Sequence, residues 1–329
     1  MTSVTLTNGK IFDANGEQTI LDAALRQNVF LEYSCRTGRC GICKTKVVKG
    51  ETDTIKPEES LTELEKADGE ILTCCRVAVT DVSLEAEDLG ALVDYPAKTV
   101  PCRINSLTKL TDDVVEVILR LPPGQPLKFL AGQYVDVIGR GGIRRSYSIA
   151  NAPRQDGCIV LYIKRVEAGE MSHYWFNEAS PNDLLRLEGP LGTFFFRDNA
   201  PGTIVLLATG TGIAPVKALL EHLDANPEKV VGRRVVVLWG NRYPKDLFWE
   251  PHFENIAVCY TPVLSRAGEE WPGASGYVQR SLLEGELEMD DLIVYACGSE
   301  EMIHSARESL CEEGLPAARF YSDAFVSSN

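Results

Sequence analysis

Four of the ten cysteines, with a fifth adjoining, are spaced to share a metal centre. Cys35-x4-Cys40-x2-Cys43 is the spacing with which one loop presents thiolates to a [2Fe–2S] cluster, and Cys74 or the adjacent Cys75 lies far enough downstream to supply the fourth. Glycines at 38 and 41 let the loop backbone approach the cluster and offer N–H donors to its sulfurs. Cys40-x-x-Cys43 also fits a zinc half-site or a thioredoxin-like pair. Those readings lack a second CxxC, a histidine pair or a surrounding βαβ unit. The histidines, at 173, 222, 252 and 304, are not spaced with the cysteines, which removes a Rieske-type centre.

Three other segments carry chemistry. Arg145-Ser146-Tyr147-Ser148 falls on a predicted strand, so alternation sends the cation Arg145 and the flat ring of Tyr147 to one side, as a phosphate-bearing ring system requires. An exposed Arg beside a barrel-wall Tyr is the alternative. The strand TIVLLAT runs into Gly210-Thr211-Gly212-Ile213-Ala214-Pro215 and then a helix, the context of a pyrophosphate-binding turn. Cys297-Gly298 ends the strand LIVYA, with Met302 five residues on. Taken alone, Cys297 could as well be a core thiol. After RVVVLWG, Arg242 or Lys245 suits a 2′-phosphate, whereas Asp246 would repel one or accept from a ribose hydroxyl.

The elements that must hold these residues change character along the 329-residue chain, whose length suggests two or three domains. Residues 4–12 read as a hairpin turning at Asn8-Gly9, followed by a helix near 19–27 capped by Thr19, with Ile20, Leu21, Ala24 and Leu25 on its apolar face. Strands near 44–48, 71–74 and 82–86 and a helix near 60–67 complete a small α+β unit. A weakly patterned stretch with Pro96 and Pro101 reads as a linker. Strands at 114–121, 133–138, 145–149, 159–166 and 184–188 then suggest an antiparallel barrel, and from 203 strands alternate with helices as in a parallel sheet. The expected boundaries are 1–90, a linker at 91–100, 101–198 and 199–329. Net charge is −14 overall and −6, +1 and −9 for the three successive segments. The sum argues against nucleic acid or an anionic membrane as partner, and the near-neutral middle suits an anionic cofactor. With no basic leader before an apolar core and no stretch near the roughly 20 apolar residues of a membrane span, a cytoplasmic location is expected.

The first segment resembles the β-grasp fold of plant-type ferredoxins, in which the last ligand sits in a pattern like ILTC with an Asp seven residues on, here Asp81. That resemblance favours Cys74, with Cys75 the fallback. The remainder resembles the ferredoxin–NADP reductase superfamily through R-x-Y-[ST] at Arg145–Ser148, G-x-x-S at Gly169-Glu170-Met171-Ser172, the proline form of the glycine turn ending in Pro215, and C-G-x-x-x-M at Cys297–Met302. The resemblance implies a fold of three parts: a β-grasp [2Fe–2S] domain, an antiparallel β-barrel FAD domain and a Rossmann-like α/β NAD domain. It further implies that Arg145 binds the FAD pyrophosphate, Tyr147 packs on the isoalloxazine and Ser148 lies near its reactive N5. Gly169 to Ser172 cradle phosphate, and Tyr162, Ile163 and Lys164 line the ribose side. It implies too that Gly210, Thr211, Gly212 and Pro215 bind the nicotinamide dinucleotide, that Cys297 faces the nicotinamide at the hydride-transfer locus, and that Gly298 and Met302 belong to the same cofactor-binding element. The acid-x-aromatic ending Asp323-Ala324-Phe325 would shield the flavin with Phe325, a frayed polar tail being the alternative.

Three cofactors of this kind form one circuit, because nicotinamide gives up two electrons as hydride, a [2Fe–2S] cluster takes one at a time, and a flavin does both. Fused reductases of this order usually favour NADH. They feed oxygenase components, and in one branch a pyridoxamine-phosphate-dependent iron–sulfur dehydrase of 3,6-dideoxyhexose biosynthesis, the branch this chain most resembles. The alternatives are a generic mono- or dioxygenase reductase and, from a different class, a [2Fe–2S] redox sensor or docking module.

Overall fold

The structure, a computed structural model, describes residues 2–198, 202–285 and 287–325. It divides into two compact units, one ending at Pro96 and the other spanning Ala97–Phe325. Among the described residues no helix is long and apolar enough to cross a membrane.

In the first unit the period-two pattern buries Val4, Leu6, Phe12 and Ala14 on one face of the antiparallel pair Thr2–Leu6 and Ile11–Ala14. Val82–Leu84 runs parallel to the first strand, Lys44–Lys49 lies antiparallel beside it, and Glu70–Leu72 closes the five-stranded sheet. A helix, Ile20–Arg26, packs into that core, its first turn fixed by the Asp22 N–H donating to Thr19 Oγ1 at 3.0 Å. Its buried face carries Ala23 with Ile20, Leu21 and Ala24, while Leu25 is only half-buried. A two-stranded ribbon, Thr52–Thr54 with Arg76–Ala78, and the short helix Glu63–Ala67 flank the cysteine loop.

The second unit begins with a strand the sequence hid. Lys98–Lys109 occupies part of the expected linker, and Pro101 sits inside it. Proline is tolerated because the strand pairs there on one side only: residues 98–103 face Leu184–Leu191, whereas pairing with Val114–Arg120 starts at Arg103. With Tyr134–Ile138, Arg144–Ser148 and Ile159–Lys164 these strands make a six-stranded antiparallel sheet, nearly closed by the bridge between Ile149 and Leu161. The strands Thr203–Thr209, Arg234–Asn241, Val258–Leu264, Ala274–Ser275, Leu292–Ser299 and Phe320–Phe325 form an entirely parallel sheet. The chain leaves Thr203–Thr209 in one direction and returns on its other side with Leu292–Ser299, so the sheet's switch point lies between these two strands. Barrel and parallel sheet share one core, in which Ala131, Ala150, Val160 and Phe194 pack with Leu206, Ile213, Trp239 and Tyr295.

Candidate functional site

In the cysteine loop, Cys40 donates a hydrogen bond to Cys35, and Cys43 does the same to Cys74. These bonds hold the Cys35 and Cys74 thiols well below the ordinary thiol range and push Cys40 and Cys43 up. Among the described residues no three His, Cys, Asp or Glu side chains converge where one ion would sit. The four thiols of Cys35, Cys40, Cys43 and Cys74 are nevertheless brought together in one loop region, a donor set whose chemistry fits a [2Fe–2S] cluster. Cys75 lies behind the second pair, 3.5 Å from Cys74 Sγ and 3.4 Å from the Pro57 carbonyl to which it donates. Gly38 has φ +83° and its amide donates to Cys74. A Cβ there would lie 2.1 Å from the Pro57 carbonyl oxygen and 2.8 Å from Cys75 Sγ, so the close approach requires glycine.

On the barrel, Arg144 is paired with Asp136 at 3.2 Å and Glu188 at 2.9 Å, whereas the half-buried Arg145 donates to the Arg144 carbonyl at 2.8 Å and meets no carboxylate among the described residues. A guanidinium with no carboxylate partner is the donor an anionic pyrophosphate needs. Tyr147 is locked by the Trp175 indole N–H, which donates to its hydroxyl at 2.9 Å with the rings edge-on; burial raises its hydroxyl to about 12. Gly169 opens the short helix Glu170–His173, and Ser172 Oγ accepts from the Val166 N–H at 2.8 Å. The hydroxyl of Ser172 is therefore engaged in holding its own loop, leaving the amides of that first turn as phosphate donors. Met171 turns inward against Gly139, where a Cβ would meet its sulfur at 2.6 Å, so only its backbone can face a ligand. Tyr162 is buried in the shared core with its ring edge-on to Phe248.

On the sheet the motifs meet at the switch point. Gly212 and Gly298 let the two strand exits cross: a Cβ on Gly212 would lie 2.2 Å from the Cys297 carbonyl oxygen, and one on Gly298, at φ +145°, would lie 2.1 Å from Thr209 Oγ1. Pro215 is the third residue of the helix Ile213–Ala225, where its missing N–H has no intrahelical partner to lose. Cys297 is fully buried, and burial, then Asp323, pushes its thiol up, keeping it neutral. Asp323 is its register partner on the neighbouring strand and accepts from Ser148 Oγ at 3.2 Å. Thus Ser148 and Cys297 meet around a buried carboxylate, and Phe320–Phe325 is a strand, not a frayed tail. Met302 is buried at the start of the next helix, its N–H donating to Ser299 Oγ.

A cavity of about 1140 Å³ opens over this end of the sheet. Thr209, Gly210, Thr211, Asp246, Met302 and the half-exposed Phe325 line it, as does Lys164 from the barrel. Two more lining residues, which no sequence spacing marks, have buried atoms without hydrogen-bond partners among the described residues: the amide nitrogen Nδ2 of Asn241 and the carbonyl oxygen Oε1 of Gln279. An orphaned donor and an orphaned acceptor in one cavity fit a ligand that offers both, as a nicotinamide dinucleotide does.

Three family matches cover the chain: a 2Fe-2S iron-sulfur cluster binding domain at residues 5–80, an oxidoreductase FAD-binding domain at 101–196 and an oxidoreductase NAD-binding domain at 206–308. The chain is 43% identical to the CDP-6-deoxy-L-threo-D-glycero-4-hexulose-3-dehydrase reductase of Yersinia pestis, over 98% of this chain and 97% of the relative. Reductase component 1 of terephthalate 1,2-dioxygenase from a Comamonas species is 30% identical over 94% and 93%. Among solved structures, the Amycolatopsis cytochrome P450 reductase GcoB superposes with a TM-score of 0.79 at 27% identity, each chain covered in full.

Proposed function

Since the chain belongs to the family of [2Fe–2S] flavoprotein reductases that includes the CDP-6-deoxy-L-threo-D-glycero-4-hexulose-3-dehydrase reductases, we propose that it is an NADH-dependent CDP-4-dehydro-6-deoxyglucose reductase. It serves in the cytoplasm and delivers electrons to the pyridoxamine-phosphate-dependent iron–sulfur dehydrase of 3,6-dideoxyhexose biosynthesis. The observation that carries the electron-transfer reading is the meeting of Ser148 and Cys297 around Asp323, which brings the flavin-type strand and the nicotinamide-type strand to one point. Full-length identity of 43% favours the dehydrase as acceptor over an oxygenase component.

In this reading Cys35, Cys40, Cys43 and Cys74 hold the cluster. Arg145 and the amides of residues 170–172 take the flavin pyrophosphate, and Tyr147 is held rigid for the ring by Trp175. Gly210–Gly212 take the dinucleotide phosphates at a helix start. Asp323 accepts a hydrogen bond from the Ser148 hydroxyl and so orients it, while the neutral Cys297 offers a close, uncharged wall. Bound FAD supplies the exchange between a two-electron hydride donor and one-electron acceptors. Asp246 in the cavity wall opposes a 2′-phosphate, and Arg242 and Lys245 beside it would suit one, so the choice of NADH rests on the resemblance to fused reductases of this order.

The test offers the reduced enzyme, with NADH, to the dehydrase and its CDP-sugar and in parallel to an oxygenase component. Turnover of the oxygenase alone would replace the proposed acceptor. Changing Cys35 to Ser is expected to abolish NADH-driven cytochrome c reduction and spare ferricyanide reduction; equal loss of both would contradict a flavin-before-cluster order.

A further inference from the structure

Trp239 is fully buried in the core shared by barrel and sheet, its ring edge-on to Phe248 (centroids 5.0 Å) and Trp249 (6.3 Å). A phenylalanine would fill such a place without bringing a polar atom into it. The indole Nε1–H instead reaches across to the exit of the neighbouring strand and donates to the carbonyl oxygen of Gly210 at 2.8 Å. The same carbonyl accepts from the Ile213 N–H, which closes the glycine turn. In a trans peptide the C=O and the following N–H lie in one plane and point in opposite directions. With the Gly210 carbonyl aimed at the indole, the Thr211 N–H is turned the opposite way. Thr211 lines the cavity, and as the second residue of a helical turn it has no intrahelical acceptor for that N–H.

We propose that Trp239 is the positioning residue of the dinucleotide site: its indole N–H fixes the Gly210–Thr211 peptide plane so that the Thr211 N–H faces the cofactor phosphates. The assignment rests on reading the cavity as a nicotinamide dinucleotide site. Without the indole, the plane keeps the Ile213 bond but loses its second anchor, and the turn must be ordered as the nucleotide binds.

Trp239→Phe is the test. Losing one net hydrogen bond is expected to raise the KM for NADH and the Kd for NAD+ about 2- to 12-fold. The kcat at saturating NADH, the bound FAD and the cluster absorbance should not change. Trp249→Phe trims the same aromatic cluster without touching the turn and should leave nucleotide affinity as it is. Unchanged affinity in Trp239→Phe, or an equal loss in Trp249→Phe, overturns the assignment. Should Trp239→Phe fail to fold, nitrogen-15 indole spectra of the unsubstituted holoenzyme decide, with the Trp239 signal identified by eliminating Trp175, Trp249 and Trp271 through Trp→Phe variants. That signal is expected to exchange slowly with solvent and to shift when NAD+ is added; indifference to NAD+ overturns the proposal. If the unsubstituted protein binds no NAD+ at all, the reading of the cavity falls and takes this assignment with it.

Discussion

Arg144 and Arg145 are adjacent on one strand, so alternation sends their guanidiniums to opposite faces. Arg144 is held by Asp136 and Glu188, and Arg145 has no carboxylate partner among the described residues. Arg145→Ala is therefore expected to weaken FAD binding about 10- to 100-fold, the range for hydrogen bonds to a charged group. Arg144→Ala should release no flavin. Bound flavin after gel filtration reads both, and equal loss from the two variants would deny Arg145 its role. The sequence marked Arg145 through its spacing from Tyr147, but the absence of a competing carboxylate is a fact of three strands brought together. The choice between Cys74 and Cys75 has the same character. Adjacent positions look alike in sequence, yet only Cys74 faces Cys43, while Cys75 points to the Pro57 carbonyl.

The helix Glu63–Ala67 buries none of its residues, so its place beside the cysteine loop depends on its ends. Thr62 and Glu65 form a reciprocal capping box, and Glu65 also pairs with Lys44. Burial works to raise the Glu65 carboxyl, but hydrogen bonds from Lys44 and Thr62 outweigh it and hold the group at about 2. A carboxyl lowered from 4.5 to about 2 contributes stability that is complete above 4.5 and lost as pH falls through about 2. Glu65→Ala should therefore cost about 1 kcal/mol at neutral pH, most of it from the lost cap, the half-buried ion pair being still open to solvent screening. The difference in urea midpoint from the parent should shrink in acid; a difference that persists below about pH 2 would assign the effect to packing. The Thr62 cap, like that of Thr19, is a local rule and can be read from sequence. The strand Lys98–Lys109 could not be, because Pro101 breaks a strand pattern unless the neighbouring pairings are known.

At the scale of the whole second unit, the Lys217 ammonium donates to the Ala150 carbonyl at 2.9 Å and Glu221 accepts from the Ala152 N–H at 2.9 Å, tying the helix Ile213–Ala225 to the barrel. With a shared core beneath this tie, residues 97–325 are expected to unfold in one calorimetric transition. Glu221→Ala, which leaves a partly buried N–H unpaired, should lower stability by about 1–3 kcal/mol without splitting that transition. Two resolved transitions would refute a common core. By itself the sequence marked the candidates: the Cys35, Cys40 and Cys43 spacing and the glycine turn between a strand and a helix are local patterns, whereas Cys297-Gly298 drew its meaning from the resemblance. Tertiary structure alone decided which of these residues meet. Ser148, Cys297 and Asp323 lie on three strands far apart in sequence, and the orphaned atoms of Asn241 and Gln279 are brought to one cavity by the order of the parallel sheet. Residue spacing encodes what a segment can do, but the distance between segments is set by strand pairing and a shared core, and no periodicity in the chain records either.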